Sequence, residues 1–449
     1  MGGDGHDACW IVVMLAKGRK GDRVSDPDPD ARPSRSPIGW RPIALPALAL
    51  GLVGIAAWWF WNSSDSDIRA VIAEAKARDI ATTARELGYL RSPPDRLSRW
   101  DQLAQLATVV RSYANSNHVP SSTMQLAPFD PIPDALRLHH AALASGTLDE
   151  VLAGMDGMGD EPLVLHAVDD YSTRLPELSV LRQFGSLFKE RAVLAPPEQA
   201  GREVRRLLRC CTLIGDHSQS SSSVRMGLAA IAFGAVTRRL GDLRLHDPGI
   251  ATSIDALCDL MAEDLKLDLA GEFVADIALV RNPEILNAQA GSAIWDRLMH
   301  GAMVRMGRET LLRKEMEWVL NVRDHPDPLV LLDQTKALAR ELNQLGSLDK
   351  PKYAFFSMFA PNYRFYITRI HDAILYGRLL SAELRGRPWP IDVLDPAHQT
   401  MRRVERDGKV MGAYSLNGSD TDAHGKAPNR YFPLYGPLEP PTPAVVQDK

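Results

Sequence analysis

The sequence predicts a mainly α protein: one transmembrane helix, then an extracytoplasmic multi-helix domain with a small C-terminal β-hairpin. Three observations predict it. Ile43 to Trp61 (IALPALALGLVGIAAWWFW) is 19 residues without a charge or a strongly polar side chain. From Ile68 to about Arg385, apart from a loop between Asn115 and Pro133, the apolar residues mostly recur every three or four positions, as one face of a helix requires. Before residue 400 there is almost no alternating pattern, whereas Asp407-Gly408 between two extended runs is a hairpin signature.

The anchor comes first. Nineteen helical residues cover about 28 Å, close to the hydrocarbon thickness of a bilayer. Pro42 and Pro46 fall in the first turns, where a missing N–H costs least. Trp40 stands at one end and Trp58, Trp59 and Trp61 at the other, as interfacial aromatics do. A cleaved signal peptide fits less well, because 42 residues precede the run and no small-x-small site follows it. Arg32, Arg35 and Arg41 lie just before the span, which orients the N-terminus inside and sends the rest of the chain out of the cytoplasm.

The remaining organisation follows from composition. Residues 18–42 mix Pro, Gly, Ser and charges, the apolar run Cys9 to Ala16 before them is too short to span, and 1–42 read as a flexible cytoplasmic tail. Residues 62–195 form a first helical region and 196–390 a second, 391–436 a β-hairpin with a polar loop, and 437–449 a disordered terminus. In the first region a long amphipathic helix runs to Gly88, and another starts after Ser92-Pro93-Pro94. Further helices are expected on either side of Gly215 to Ser223, and over 250–269, 291–321, 328–345 and 361–385. A hydrophobic fraction of 45% and a net charge of −4 exclude wholesale disorder and nucleic-acid binding through bulk positive charge.

Two stretches resemble known families. The helical pairs LSVLRQFGSLFKERAVLAPPEQAGREVRRLLRCCTLIGDHS and SVRMGLAAIAFGAVTRRLGDL resemble uncharacterised membrane-anchored helical proteins of planctomycete-type bacteria. So do Gly386 to Pro390, Asp395-Pro396 and the tail Ala413 to Asp420. That tail is also similar to the C-terminal hairpin and loop of type II secretion pseudopilins, some of which bind calcium there. The prepilin junction that a pilus subunit requires is missing before the span. The resemblance, over about residues 178–245 and 361–425, implies an architecture and a membrane location and confers no activity.

Candidate chemistry is sparse. Asn417, Ser419, Asp420 and Asp422, with Thr421, gather oxygen donors as a hard cation such as Ca²⁺ requires. The commoner role of such residues is a turn that bonds its own backbone. Cys210 or Cys211 could bridge to Cys258 outside the cytoplasm, against the plainer reading of three buried thiols. His166, Asp169 and Asp170 share a helix face if that stretch is helical, a weak metal pattern. His139-His140 and His371-Asp372 are sequence neighbours and point apart on a helix. Asp216-His217-Ser218 has triad residue types without triad geometry. Met226, Leu228, Ile231 and Val236 read as core, as do the aromatics Tyr353, Phe355, Phe356, Phe359, Tyr363, Phe365 and Tyr366, whose other role would be a binding surface.

No GxSxG, HExxH, Walker A or strand-linked GxGxxG motif is present. The expectation is therefore an interaction or scaffolding protein, held in the lipid bilayer through residues 43–61 and working on a protein partner. Two alternatives are an extracytoplasmic hydrolase with a dispersed site and a secretion-system accessory protein with a calcium-stabilised tail.

Overall fold

Among the residues it describes, the computed structural model has eleven helices and three strands. It describes residues 65–88, 92–116, 127–132, 134, 136–137, 147–159, 161–164, 176–213, 215, 219–281, 294–346, 350, 352–353, 356, 363–417, 424 and 429–437. The helices are α1 (Ser66–Ala77), α2 (Pro94–Ser116), α3 (Thr147–Gly157), α4 (Pro176–Leu194), α5 (Pro197–Thr212) and α6 (Gln219–Arg238). Then come α7 (Leu240–His246), α8 (Ile250–Arg281), α9 (Ile294–Asp324), α10 (Pro328–Gln344) and α11 (Tyr363–Arg385). β1 (Arg402–Arg406), β2 (Lys409–Ser415) and β3 (Arg430–Pro433) close the order. The chain divides into Met1–Ser64 and Asp65–Lys449, and all the described residues belong to the second unit.

The mainly helical class is as expected. No helix among the described residues is long and apolar enough to cross a membrane. The expected span, Ile43 to Trp61, lies outside the described residues, as do the tail 1–42 and, Pro437 apart, the terminus 437–449.

Helix limits follow local chemistry. α2 starts on Pro94 and α10 on Pro328, where Asp327 caps the helix by accepting from the Leu329 N–H at 2.9 Å. The helix expected to run to Gly88 instead stops at Ala77. Asp79 takes φ 57°, which ends the helix and lets Ile80 drop into the core. The Thr82 N–H and hydroxyl then donate to Glu86 at 2.7 and 2.9 Å, closing a separate turn. At the other end of α1, Asp65 makes no side-chain cap bond, and it and Asp67 accept from Arg308 of α9 at 2.8–2.9 Å.

The core sits around α8, which packs against α5, α6, α9 and α11. Its apolar face includes Ile254, Leu257, Met261 and Phe273, all at most 1% exposed. α11 approaches α8 closely because Gly377 has no side chain: a Cβ there would collide with Cys258 Sγ and Phe233. Cys210, Cys211 and Cys258 are free and buried, so neither bridge forms. Burial pushes the Cys211 and Cys258 thiols up to about 12, which leaves them protonated and inert.

α8 runs twelve residues beyond the expected end at 269, because Phe273, Ile277 and Val280 of the added turns pack into the core. Asp264, Asp268 and Asp276 look like a solvated stretch in sequence, yet all three are buried. Arg225 of α6 donates to Asp264 and, through Nε, to the Cys211 carbonyl at 2.9 Å. The Tyr366 hydroxyl donates to Asp268. Burial and the neighbouring Asp276 push Glu315 of α9 well above the usual carboxylate range, so that acid keeps its proton. Trp318 stacks on Tyr363 alongside, ring centroids 4.3 Å apart.

The hairpin is antiparallel, with Arg406 opposite Lys409 and both turn residues at positive φ (Asp407 51°, Gly408 72°). β3 joins the free edge of β2, pairing Ala413 with Phe432, which completes a sheet in the order β1-β2-β3. Asp392, in the segment between α11 and β1, fastens the end of β2 to that segment. Its carboxylate accepts from Leu394 N–H, Ser415 hydroxyl and Leu416 N–H at 2.9–3.1 Å.

Candidate functional site

Two helices and a strand enclose a cavity of about 560 Å³, within the range of small-molecule sites. α6 supplies one wall with Ser223, Gly227, Ala230 and Gly234, a row of small residues on a single helix face. A Cβ on Gly227 would meet nothing within 4 Å, so the hollow exists because side chains are missing there. α11 supplies the opposite wall from Phe365, Arg369, Asp372 and Tyr376, and β3 closes the end with Arg430 to Pro433. Lys189 of α4 reaches the same space.

The floor is aromatic and rigid. Tyr376 lies edge-on to Phe233 (5.8 Å between centroids) and tilted against Phe432 (5.4 Å). Its hydroxyl donates to the Pro433 carbonyl at 2.9 Å, so the 2.6 Å contact with Thr237 has the threonine hydroxyl as donor. This pair of bonds ties β3 to α6 and α11 and sets the width of the cavity.

The charged groups sit above that floor. Asp372 is 7% exposed, and its Oδ1 has no hydrogen-bond partner among the described residues. Arg430 Nε stands 3.7 Å from the other oxygen, beyond hydrogen-bond length. Burial raises the Asp372 carboxyl to about 6, against the pull of Arg430 and Arg369. Burial, with repulsion from Arg238, lowers the Lys189 ammonium to about 8. Arg369 lies over the Phe365 ring at 4.7 Å, at the exposed side of the cavity. Arg369 and Arg430 thus act on one incompletely satisfied carboxylate in a cavity that Lys189 also lines, and displaced titration in a cavity is a mark of functional sites.

The residues singled out in the sequence fall differently. Met226 and Ile231 are half-buried cavity wall, while Leu228 and Val236 are core. Of the aromatic run, Phe356, Tyr363 and Tyr366 are buried and Phe365 is 54% exposed at the cavity. His371 and Asp372 do point apart: only Asp372 lines the cavity, while burial of His371 lowers its imidazole to about 4. Asn417 takes φ 55° in a turn, its N–H donating to Ser415 Oγ at 3.0 Å. Its companions Ser419, Asp420 and Asp422 lie outside the described residues. So do His139-His140, His166, Asp169, Asp170 and Asp216-His217-Ser218. No group of three or more His, Cys, Asp or Glu residues suited to a metal occurs among the described residues.

Lys189, Arg369 and Arg430 were not singled out in the sequence, because each comes from a different element. The available signal was the glycine-rich spacing of α6, which marks a helix face that cannot fill its own groove. No known family, curated protein sequence or solved structure matches the chain.

Proposed function

We propose that the chain is a membrane-anchored, extracytoplasmic binding protein whose cavity beside β3 takes an amphipathic zwitterion, an aromatic amino acid or a compound like it. One observation carries this reading: Arg369 and Arg430 offer two cations to a carboxylate, while the unpartnered oxygen of Asp372 offers an acceptor to an ammonium. Phe233, Tyr376 and Phe432 supply a surface for an aromatic group. Anchoring rests on the apolar run Ile43 to Trp61.

Melting curves of the full chain with L-phenylalanine, 3-phenylpropionate and phenethylamine test the ligand class. Phenylalanine should raise the melting temperature most, since the other two each lack one charge. Equal effects from all three, or none, would sink the zwitterion reading. Fusing a reporter active only outside the cytoplasm after Lys449 tests the topology; a silent reporter would reverse it.

A second reading has one observation in its favour. A lysine titrating near 8 lines the same cavity as Ser223, the residue types of a lysine-activated serine hydrolase. Turnover of a chromogenic ester that disappears in both Lys189→Met and Ser223→Ala would establish it.

A further inference from the structure

The strongest concentration of one charge lies elsewhere, along α5. Arg202, Arg205, Arg206 and Arg209 are three, four and seven residues apart from the first, so their guanidiniums share a helix face. All four line a cleft of about 790 Å³ whose far wall is the uncharged Ser253, Ala256 and Leu260 face of α8. Asp156, at the end of α3, is the one acid among the described lining residues. With the neighbours that pair to them counted, five guanidiniums (Arg191 included) face three carboxylates, Asp156, Glu203 and Asp247.

The arginines differ in how firmly they are held. Arg206 is 4% exposed and fixed, donating to Glu203 at 3.0 Å and through a fork to both oxygens of Asp156 at 3.0 and 2.5 Å. Arg209 donates to the Met155 carbonyl at 3.1 Å. Arg205 directs both terminal nitrogens at a single oxygen of Asp247. Arg202 is 71% exposed and comes only to 3.7 Å of Asp156. The Asp156 carboxylate therefore marks where an anion sits: forked by a rigid arginine and approached, but not reached, by a free one.

From this geometry we infer that the α5 cleft binds a phosphate-bearing ligand, a phosphomonoester or polyphosphate, at the arginine cluster. A flat carboxylate such as Asp156 satisfies one fork. A tetrahedral phosphate offers oxygens in several directions, so it can accept from Arg202, Arg205 and the Ser253 hydroxyl together. The uncharged α8 wall leaves room for an organic remainder.

The test is calorimetric titration of the full chain with inorganic pyrophosphate at low salt, beside acetate. Pyrophosphate should bind and acetate should not. Arg202→Ala should weaken binding about tenfold, and Arg202→Ala with Arg205→Ala further, while Arg202→Lys recovers only part because an ammonium cannot fork. Asp156→Asn should bind several-fold tighter, since the internal competitor loses its charge. A parallel arm with phosphatidic acid in nanodiscs separates a lipid headgroup from a soluble phosphate as the source of the same chemistry. Absence of binding in both arms, or Arg202→Ala binding like the parent with its circular dichroism unchanged, overturns the assignment.

Discussion

The cavity beside β3 and the cleft along α5 are both charged hollows on the same helical body, and they keep charge in opposite ways. In the cavity, Lys189 and Asp372 are buried, and desolvation moves both toward neutrality, to about 8 and about 6. In the cleft, Arg206 is as deeply buried, yet Asp156 and Glu203 bond it directly and raise its pKa. The bond from Arg206 in turn holds Asp156 below the usual carboxylate range. Burial alone thus decides little; the partner within 3 Å decides whether a buried group stays ionised. The cavity suits a ligand that completes its charges, the cleft one that adds to an existing lattice of pairs.

The contrast is most severely tested at Arg206. Replacing it by alanine leaves Glu203 with Arg191 alone and Asp156 without its fork. The expected loss is about 3 kcal/mol, the lower end for a broken buried pair, because Arg191 remains. Urea melts would show it, and a loss under about 1 kcal/mol would mean the pair behaves as an exposed one.

Asp372→Asn should do the reverse. A carboxyl raised from 3.8 to about 6 stabilises the fold fully only below pH 4, and that contribution is lost as pH rises through 6. Removing the charge should therefore stabilise at pH 7, by on the order of 1–2 kcal/mol, with no gain left at pH 4. His371 has the opposite sign: lowered from 6.5 to about 4, it stabilises above 6.5 and loses that as pH falls through 4. Both proteins share it, so only the difference between them isolates Asp372. A mutant less stable than the parent at pH 7 would show that Arg430 pairs with the carboxylate more strongly than 3.7 Å implies.

Lys189→Met should also stabilise at pH 7. A lysine lowered to about 8 contributes stability above its unfolded value near 10.5 and loses it as pH falls through 8. The gain in melting temperature should shrink between pH 8 and 10, and a gain constant with pH would assign it to packing alone. Arg202→Ala should change stability least, within about 0.5 kcal/mol, because an exposed pair at 3.7 Å contributes little. Its effect belongs to pyrophosphate binding, and a large loss of stability there would blur the distinction between a structural and a ligand-facing arginine.

Much of the helical framework was legible because it depends on local periodicity and on punctuation by proline and glycine. α2, α5, α6, α10 and α11 lie within a few residues of their expected limits. The Asp407-Gly408 turn formed as its φ preferences require. The failures share a cause. α1 ended at Ala77 because Ile80 finds its core partners through a turn, and α8 extended to Arg281 because Phe273, Ile277 and Val280 meet core partners from other helices. In isolation a buried aspartate and a solvated one are the same letter.

What the sequence determined by itself was the helical class, the hairpin and the uncharged 19-residue run, because spacing along one chain encodes which face of an element is apolar. Only the tertiary structure decided the two hollows. Lys189, Asp372 and Arg430 come from α4, α11 and β3, and Asp156 meets Arg206 across 50 residues of chain. Whether a charge is paired, strained toward neutrality or open to a ligand depends on atoms within about 4 Å, and those neighbours are set by packing rather than by sequence order.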